Sequence, residues 1–255
     1  MAKRKKSTAG KMSIDDMRKM INKAAGMDVA HNLEKENPTD VKEWIPTGST
    51  WLDSIIKKGV KAGIPIGKVI ELAGLESTGK SYMALQIAAN AQKMGITVVY
   101  FDAESAIDSK FVEAIGVDVS KMIYIQPPSV EFVLQTIETL LESSENRMLF
   151  IWDSLAFTPA LSDVEGDFNP NSSMALKARV MAKGLSKLVV PIAVSQSTLL
   201  VLNQLKTNIP TGINAHVVAM TTPYVTPGGK ALNFAYSLRI WLTGRKAKSS
   251  FVVDD

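Results

Sequence analysis

The chain has no cysteine and only two histidines, His31 and His216. The first absence excludes a disulfide framework and a thiolate metal site. The second leaves too few imidazoles for a histidine-based metal centre. No apolar run reaches the length of a membrane span. The N-terminus is basic but has no apolar stretch behind it, so no signal peptide is predicted. Lack of cysteine fits a reducing compartment. Charge of one sign is also scarce. The net charge is +4, and Lys3, Arg4, Lys5 and Lys6 supply four positives, so the rest of the chain sums to zero. Any nucleic-acid site in the body must then be a local basic patch and not a global field. The tail over residues 1–12 either touches phosphates or an acidic surface, or is a solvated disordered tail.

What is present is apolar and punctuated. Hydrophobic residues make up 46% of 255, enough for one α/β domain with a short extension, or for two small domains. The most informative stretch is Gly74-Leu75-Glu76-Ser77-Thr78-Gly79-Lys80-Ser81. It fits G-x-x-x-x-G-K-S/T, the loop that wraps backbone N–H groups around phosphate oxygens. Gly74 and Gly79 are expected in left-handed conformations that a Cβ would penalise. The following helix N-terminus adds partial positive charge. Lys80 is placed to reach the β- and γ-phosphates, and the Ser81 hydroxyl to ligate Mg²⁺. Gly74, Glu76, Ser77, Thr78, Gly79, Lys80, Ser81 and Tyr82 therefore form the predicted nucleotide-binding set, with ATP and Mg²⁺ as cofactors.

The context agrees with that assignment. Residues 68–73 read as a strand and 80–94 as a helix ended by Gly95. Further strands are predicted over 98–101, 122–125, 148–152, 199–202 and 238–242. Helices are predicted over 109–115, 130–141 and 173–189, with a break near Pro191 and a second helix starting there. Strands alternating with helices give a mostly parallel sheet covered on both faces. Ahead of this body, residues 13–42 read as an N-terminal helix and linker, with Ser13 as N-cap and Met17, Met20, Ile21 and Ala24 as an apolar stripe. The core is assigned to 43–255.

Ligands in such sheets bind at the carboxyl ends of the strands. Asp102 and Glu104 follow one strand, Asp153 and Ser154 another, Asn203 and Gln204 a third. Asp153 follows an apolar run, as a Walker-B acid does, and is predicted to hold Mg²⁺ directly or through water. Its other reading is a cap on the next helix. Glu104 is placed to orient a water in line with the γ-phosphate, or is a surface loop residue. Gln204 either senses the γ-phosphate or is a turn residue.

At this point the residues resemble a family. Residues 45–53 (IPTGSTWLD), 67–74 (GKVIELAG), 101–108 (FDAESAID), 164–167 (VEGD) and 228–232 (GGKAL) stand in the order seen in RecA-type recombinases of bacteria and bacteriophages. The resemblance spans about residues 45–245. It implies a RecA-like P-loop NTPase core and a DNA-dependent ATPase of the cytoplasm of a bacterial or phage-infected cell. The implied function is homologous pairing and strand exchange in recombination and repair. In this likeness Glu104 activates the attacking water, Asp153 is the Walker-B aspartate, and Gln204 couples the γ-phosphate to a DNA-binding loop. Asp108 lies near the adenine, and Phe111 stacks on the base unless it is core. Two loops hold DNA, corresponding to about 163–173, with Arg179 on the helix after it, and to about 205–229, read as structureless and flanked by Lys206 and Lys230. Gly228 and Gly229 offer backbone N–H groups to phosphate.

The implied partners are single-stranded DNA, homologous duplex DNA and further copies of the chain in a helical filament. Mediator or single-strand-binding proteins remain open, and no membrane is implied. The family continues past the strand at 238–242 with basic residues that reach a neighbour's ATP. Lys246 and Lys248 lie too close to that strand to be equated with them, which suggests a shortened member, a truncated product or a lost trans contribution. The rival readings are a ring helicase or clamp on the same fold, a DNA-binding factor that binds ATP with little hydrolysis, and, weakest, a small-molecule kinase.

Overall fold

Six apolar runs become the strands of one sheet. The computed structural model describes residues 12–26, 28–34, 40–58, 62–165, 174–209, 215–228 and 230–244. In chain order its strands are β1 (Trp44–Ile45), β2 (Ile64–Pro65), β3 (Val69–Gly74), β4 (Thr97–Asp102), β5 (Met122–Ile125), β6 (Met148–Asp153), β7 (Thr198–Gln204), β8 (Lys206–Thr207), β9 (Tyr224–Val225) and β10 (Leu238–Leu242). The helices are α1 (Ile14–Ala25), α2 (Thr50–Ile56), α3 (Lys80–Lys93), α4 (Ser109–Ile115), α5 (Val130–Ser143), α6 (Leu161–Glu165), α7 (Met174–Val194), α8 (Ala215–Thr221) and α9 (Lys230–Ala235). The chain divides into two compact units between Asp40 and Val41.

In the first unit, α1 is capped by Ser13, whose Oγ accepts from the Asp16 N–H at 3.1 Å. Asp15 and Asp16 sit in its first turn, and Gly26 ends it at φ +69°. Asn22 folds the following residues back, accepting from the N–H groups of Val29 and Ala30. The predicted apolar stripe is left uncovered: Met17, Met20 and Ile21 are all exposed.

In the second unit, the sheet runs β10-β3-β7-β6-β4-β5 and every neighbouring pair is parallel. Alternation along each strand divides the core into two layers. Val98, Tyr100, Leu149, Ile151, Leu200 and Leu202 face the layer that holds α3. Val99, Phe101, Phe150, Trp152, Leu199 and Val201 face the layer that holds α5 and α7. Buried on both faces, these strands read as continuous apolar runs. Helix α3 buries Ala84, Ala88, Ala89 and Ala91, small side chains that bring its backbone close to the sheet. Parallel pairing puts the carboxyl ends of β3, β4, β6 and β7 at one edge. The site is there.

Two predictions need correcting here. Pro191 does not break its helix; α7 runs on to Val194. Leu185, Leu188 and Ile192 are all buried in one layer, and this packing outweighs one missing N–H near the helix end. Nor is 205–229 structureless. β8 pairs antiparallel with β9, and α8 lies between them. Pro223, Pro227 and Gly228 punctuate short elements, and such elements carry too few residues for a periodic signal.

Candidate nucleotide site

The loop after β3 is built for close approach of backbone to ligand. Gly79 sits at φ +85° and Ser77 at φ +56°. Gly74, expected to be left-handed, is not among the residues with positive φ. Its requirement is space: a Cβ there would meet Thr78 Oγ1 at 2.4 Å and the Leu242 carbonyl oxygen at 3.1 Å. The first turn of α3 has no side-chain cap, so its N–H groups remain for an anion. Lys80 folds back on the loop, with Nζ donating to the carbonyls of Leu75 at 2.8 Å and Gly74 at 3.3 Å.

Beside the loop, Ser81 Oγ donates to Asp153 Oδ2 at 2.7 Å. The Tyr100 hydroxyl donates to that same oxygen, also at 2.7 Å. Asp153 is buried. Burial holds its carboxyl above the ordinary aspartate value, while the bonds from Ser81 and Tyr100 pull it back down. Burial and the adjacent carboxylate push the Tyr100 phenol well up, so it stays a proton donor. The hydroxyl and carboxylate oxygens of Ser81 and Asp153 suit a hard divalent cation. Among the described residues no group of three or more His, Cys, Asp or Glu could hold a metal. This donor pair therefore fits an ion that shares its shell with ligand phosphates and waters, as Mg²⁺ does.

Across the cleft, Ser154 Oγ donates to Glu104 Oε1 at 2.5 Å. The Glu104 backbone is fixed from below. The buried Asp102 carboxylate accepts from the N–H groups of Glu104 at 3.1 Å and Ile107 at 3.3 Å, and from the Tyr124 hydroxyl at 2.8 Å. Lys177 on α7 closes the turn after β6. Its Nζ donates to the carbonyls of Leu155 at 2.8 Å and Thr158 at 2.6 Å. Burial holds its amine below the ordinary lysine value.

The third strand end is tied to the first. The Leu205 N–H donates to the Gly74 carbonyl at 3.0 Å, so the residue after Gln204 is bonded to the start of the phosphate loop. Asn203 is buried and donates to Glu71 Oε1 and to the Pro227 carbonyl, both at 3.0 Å. Glu71 in turn accepts from Arg239 Nε at 2.7 Å, and Arg239 donates to Thr226 Oγ1 at 3.0 Å. One polar network thus joins β3, β7, β10 and the segment before Gly228.

A cleft of about 500 Å³ is lined by Glu76, Gly79, Glu104, Asp153 and Gln204. Tyr82 and Phe111 share it, ring centroids 6.3 Å apart. A model described as the RecA N-terminal domain matches residues 12–251. The chain belongs to the RecA family. It is 35% identical over 228 residues to Protein RecA of Fusobacterium nucleatum, covering 89% of this chain and 57% of that protein. It is 36% identical over 205 residues to Protein RecA of Streptomyces avermitilis, covering 80% and 51%. Against Protein RecA of Lactobacillus delbrueckii the identity is 33% over 240 residues, covering 94% and 67%. The chain thus spans between about half and two thirds of the length of these relatives.

Within this RecA-family core, the predicted nucleotide-binding residues Glu76 to Tyr82 come together with Glu104, Phe111, Asp153 and Gln204. Phe111 is not core: it is 47% exposed, and Val112 is the residue of α4 that is buried. Asp108 caps α4, its Oδ1 accepting from the Phe111 N–H at 3.1 Å. Arg179 is exposed on α7 and Lys206 on β8. Gly228 is left-handed at φ +110°, and Lys230 opens α9. Gly229 lies outside the described residues, as do 166–173, 210–214, the tail over 1–11 and 245–255. No helix among the described residues is long and apolar enough to cross a membrane.

Sequence reasoning missed Tyr100, Phe157 and Lys177. The signal for Tyr100 was a hydroxyl inside a run otherwise apolar, which must find a partner if buried. Phe157 is 63% exposed in the turn after β6 and lines the cleft. An isolated aromatic in a turn has no periodic pattern to mark it.

Proposed function

We propose that this chain is an ATP-dependent DNA recombinase that assembles on single-stranded DNA as a helical filament and promotes homologous pairing and strand exchange with duplex DNA, in the cytoplasm. What carries the reading is the meeting of the uncapped phosphate loop, the Ser81–Asp153 pair and the Glu104–Ser154 pair in one cleft of a RecA-family core. The residues of Gly74–Ser81 bind the phosphates, with Lys80 turning from the loop carbonyls to the β- and γ-phosphates. Ser81 and Asp153 hold Mg²⁺, which neutralises phosphate charge. Glu104 orients the attacking water and accepts its proton. Gln204 senses the γ-phosphate from the end of β7. Phe111 and Tyr82 cover the base, with Asp108 fixing the helix that carries Phe111.

Arg179, Lys206, Gly228, Gly229 and Lys230 contact DNA phosphates, so affinity carries little sequence preference and falls with salt. Homology is read by base pairing. A heterologous, non-closing contact gives a filament, and residues 13–42 with the uncovered stripe of α1 dock on the neighbouring subunit within it.

The test is phosphate release by the purified chain with and without single-stranded DNA. Stimulation by DNA is expected. ATP binding without turnover in either condition would sink the recombinase reading in favour of a nucleotide-binding assembly factor. Closed rings in electron micrographs would favour the helicase or clamp.

Phe111→Ala gives a separate expectation. A lost aromatic face is worth about 0.5–1.5 kcal/mol, so the Kd for ATP should weaken roughly 2- to 13-fold. Phe111→Tyr should restore it. Calorimetric titration reads both, and an unchanged Kd for the alanine variant removes Phe111 from the base site.

A further inference from the structure

Tyr100 is the fourth residue of β4, fully buried beneath α3, and its strand neighbours Val98, Val99 and Phe101 are all apolar. A phenylalanine would fill the same volume in this layer, so packing does not call for the hydroxyl. A buried hydroxyl costs free energy unless it is paired. The bond it makes is to Asp153 Oδ2 at 2.7 Å. Ser81 Oγ reaches that oxygen at 2.7 Å from the first turn of α3. Both hydrogen bonds fall on Oδ2, so the carboxylate is pinned by one oxygen at the cleft that Asp153 and Ser81 both line. Register explains the reach. Tyr100 pairs with Ile151 and Asp102 with Asp153, so the phenol rises along β4 to the end of the adjacent strand β6.

Resting on the nucleotide reading above, we propose that Tyr100 is a positioning residue for Mg²⁺–nucleotide, its phenol fixing the Asp153 carboxylate in the orientation that receives the ion or its water shell. When Ser81 turns its oxygen to the ion, Tyr100 remains as a donor that holds the carboxylate still. Groups that orient a metal-binding carboxylate typically change metal affinity by about 10- to 100-fold when removed.

The test is Tyr100→Phe, read as the Mg²⁺ concentration that half-saturates binding of a fluorescent N-methylanthraniloyl ATP at fixed nucleotide. The half-saturating concentration should rise roughly tenfold, with affinity in EDTA unchanged. A purely structural hydroxyl would instead lower the melting temperature without moving the Mg²⁺ midpoint, and that result overturns the proposal. A wild-type chain that does not bind the nucleotide overturns the nucleotide reading and this one with it, and one whose binding ignores Mg²⁺ overturns the Mg²⁺ role of Asp153 and this proposal. A Mg²⁺-dependent wild type with an unshifted variant overturns this one alone. A second readout keeps the question open to test if the variant does not fold. In wild-type chain labelled with ¹³Cζ-tyrosine, the Tyr100 resonance should move on adding Mg²⁺ to the nucleotide complex, and a stationary resonance counts against the proposal.

Discussion

Glu104→Gln should abolish DNA-stimulated ATP hydrolysis while leaving ATP binding intact. A positioned general base contributes about 10²- to 10⁴-fold to such a step, and the turnover number should fall by that much. The substitution is close to isosteric. Its carbonyl oxygen can still accept from Ser154 Oγ, which donates to Glu104 Oε1 at 2.5 Å in the wild type. Its backbone N–H can still donate to Asp102. The orientation of the side chain therefore survives, and the capacity to take a proton does not. Steady-state phosphate release measures the turnover number, and binding of a non-hydrolysable ATP analogue measures the Kd. A turnover number within threefold of wild type would remove Glu104 from the chemistry. A loss of nucleotide affinity would instead mean that Glu104 supports the fold of the site.

The same contacts explain which parts of the site could be read from the chain. The phosphate loop was legible because its spacing follows from backbone geometry, and a strand and a helix flank it as the motif demands. Asp153, Glu104 and Gln204 were legible because each ends or follows a run buried on both faces, and parallel strands bring such ends to one edge. Other features depend on which strands are neighbours, and periodicity does not carry that. The position of β7 between β3 and β6 lets Asn203 reach Glu71. The pairing of β4 with β6 lets Tyr100 reach Asp153. Residue type alone points Gly74 to a positive φ, although its constraint is the Thr78 hydroxyl lying where a Cβ would go. Pro191 alone signals a local break, although the burial of Leu188 and Ile192 decides the helix.

Arg239→Met should destabilise the chain by about 3–5 kcal/mol, the usual cost of breaking a buried ion pair from one side. The Glu71 side chain has 0% exposure and that of Arg239 29%. Removing the guanidinium leaves a carboxylate in the sheet interior with Asn203 Nδ2 as its remaining hydrogen-bond donor, and one amide does not replace the hydration lost. For a unit of this size the loss corresponds to a fall in melting temperature of roughly 6–20 °C. The double variant Glu71→Gln with Arg239→Met should recover most of it, because the amide carbonyl still accepts from Asn203 and no charge is stranded. Urea unfolding of both variants measures the difference. A single variant less than about 1 kcal/mol below wild type would show that the interior hydrates or rearranges around Glu71. The pair also bears on the loop. Arg239 holds Thr226, and Asn203 holds both Glu71 and the Pro227 carbonyl. Breaking the pair should therefore loosen the segment before Gly228 ahead of global unfolding. Hydrogen exchange should report faster amides around residues 224–228, while the Leu205 amide, bonded to the Gly74 carbonyl, keeps its protection.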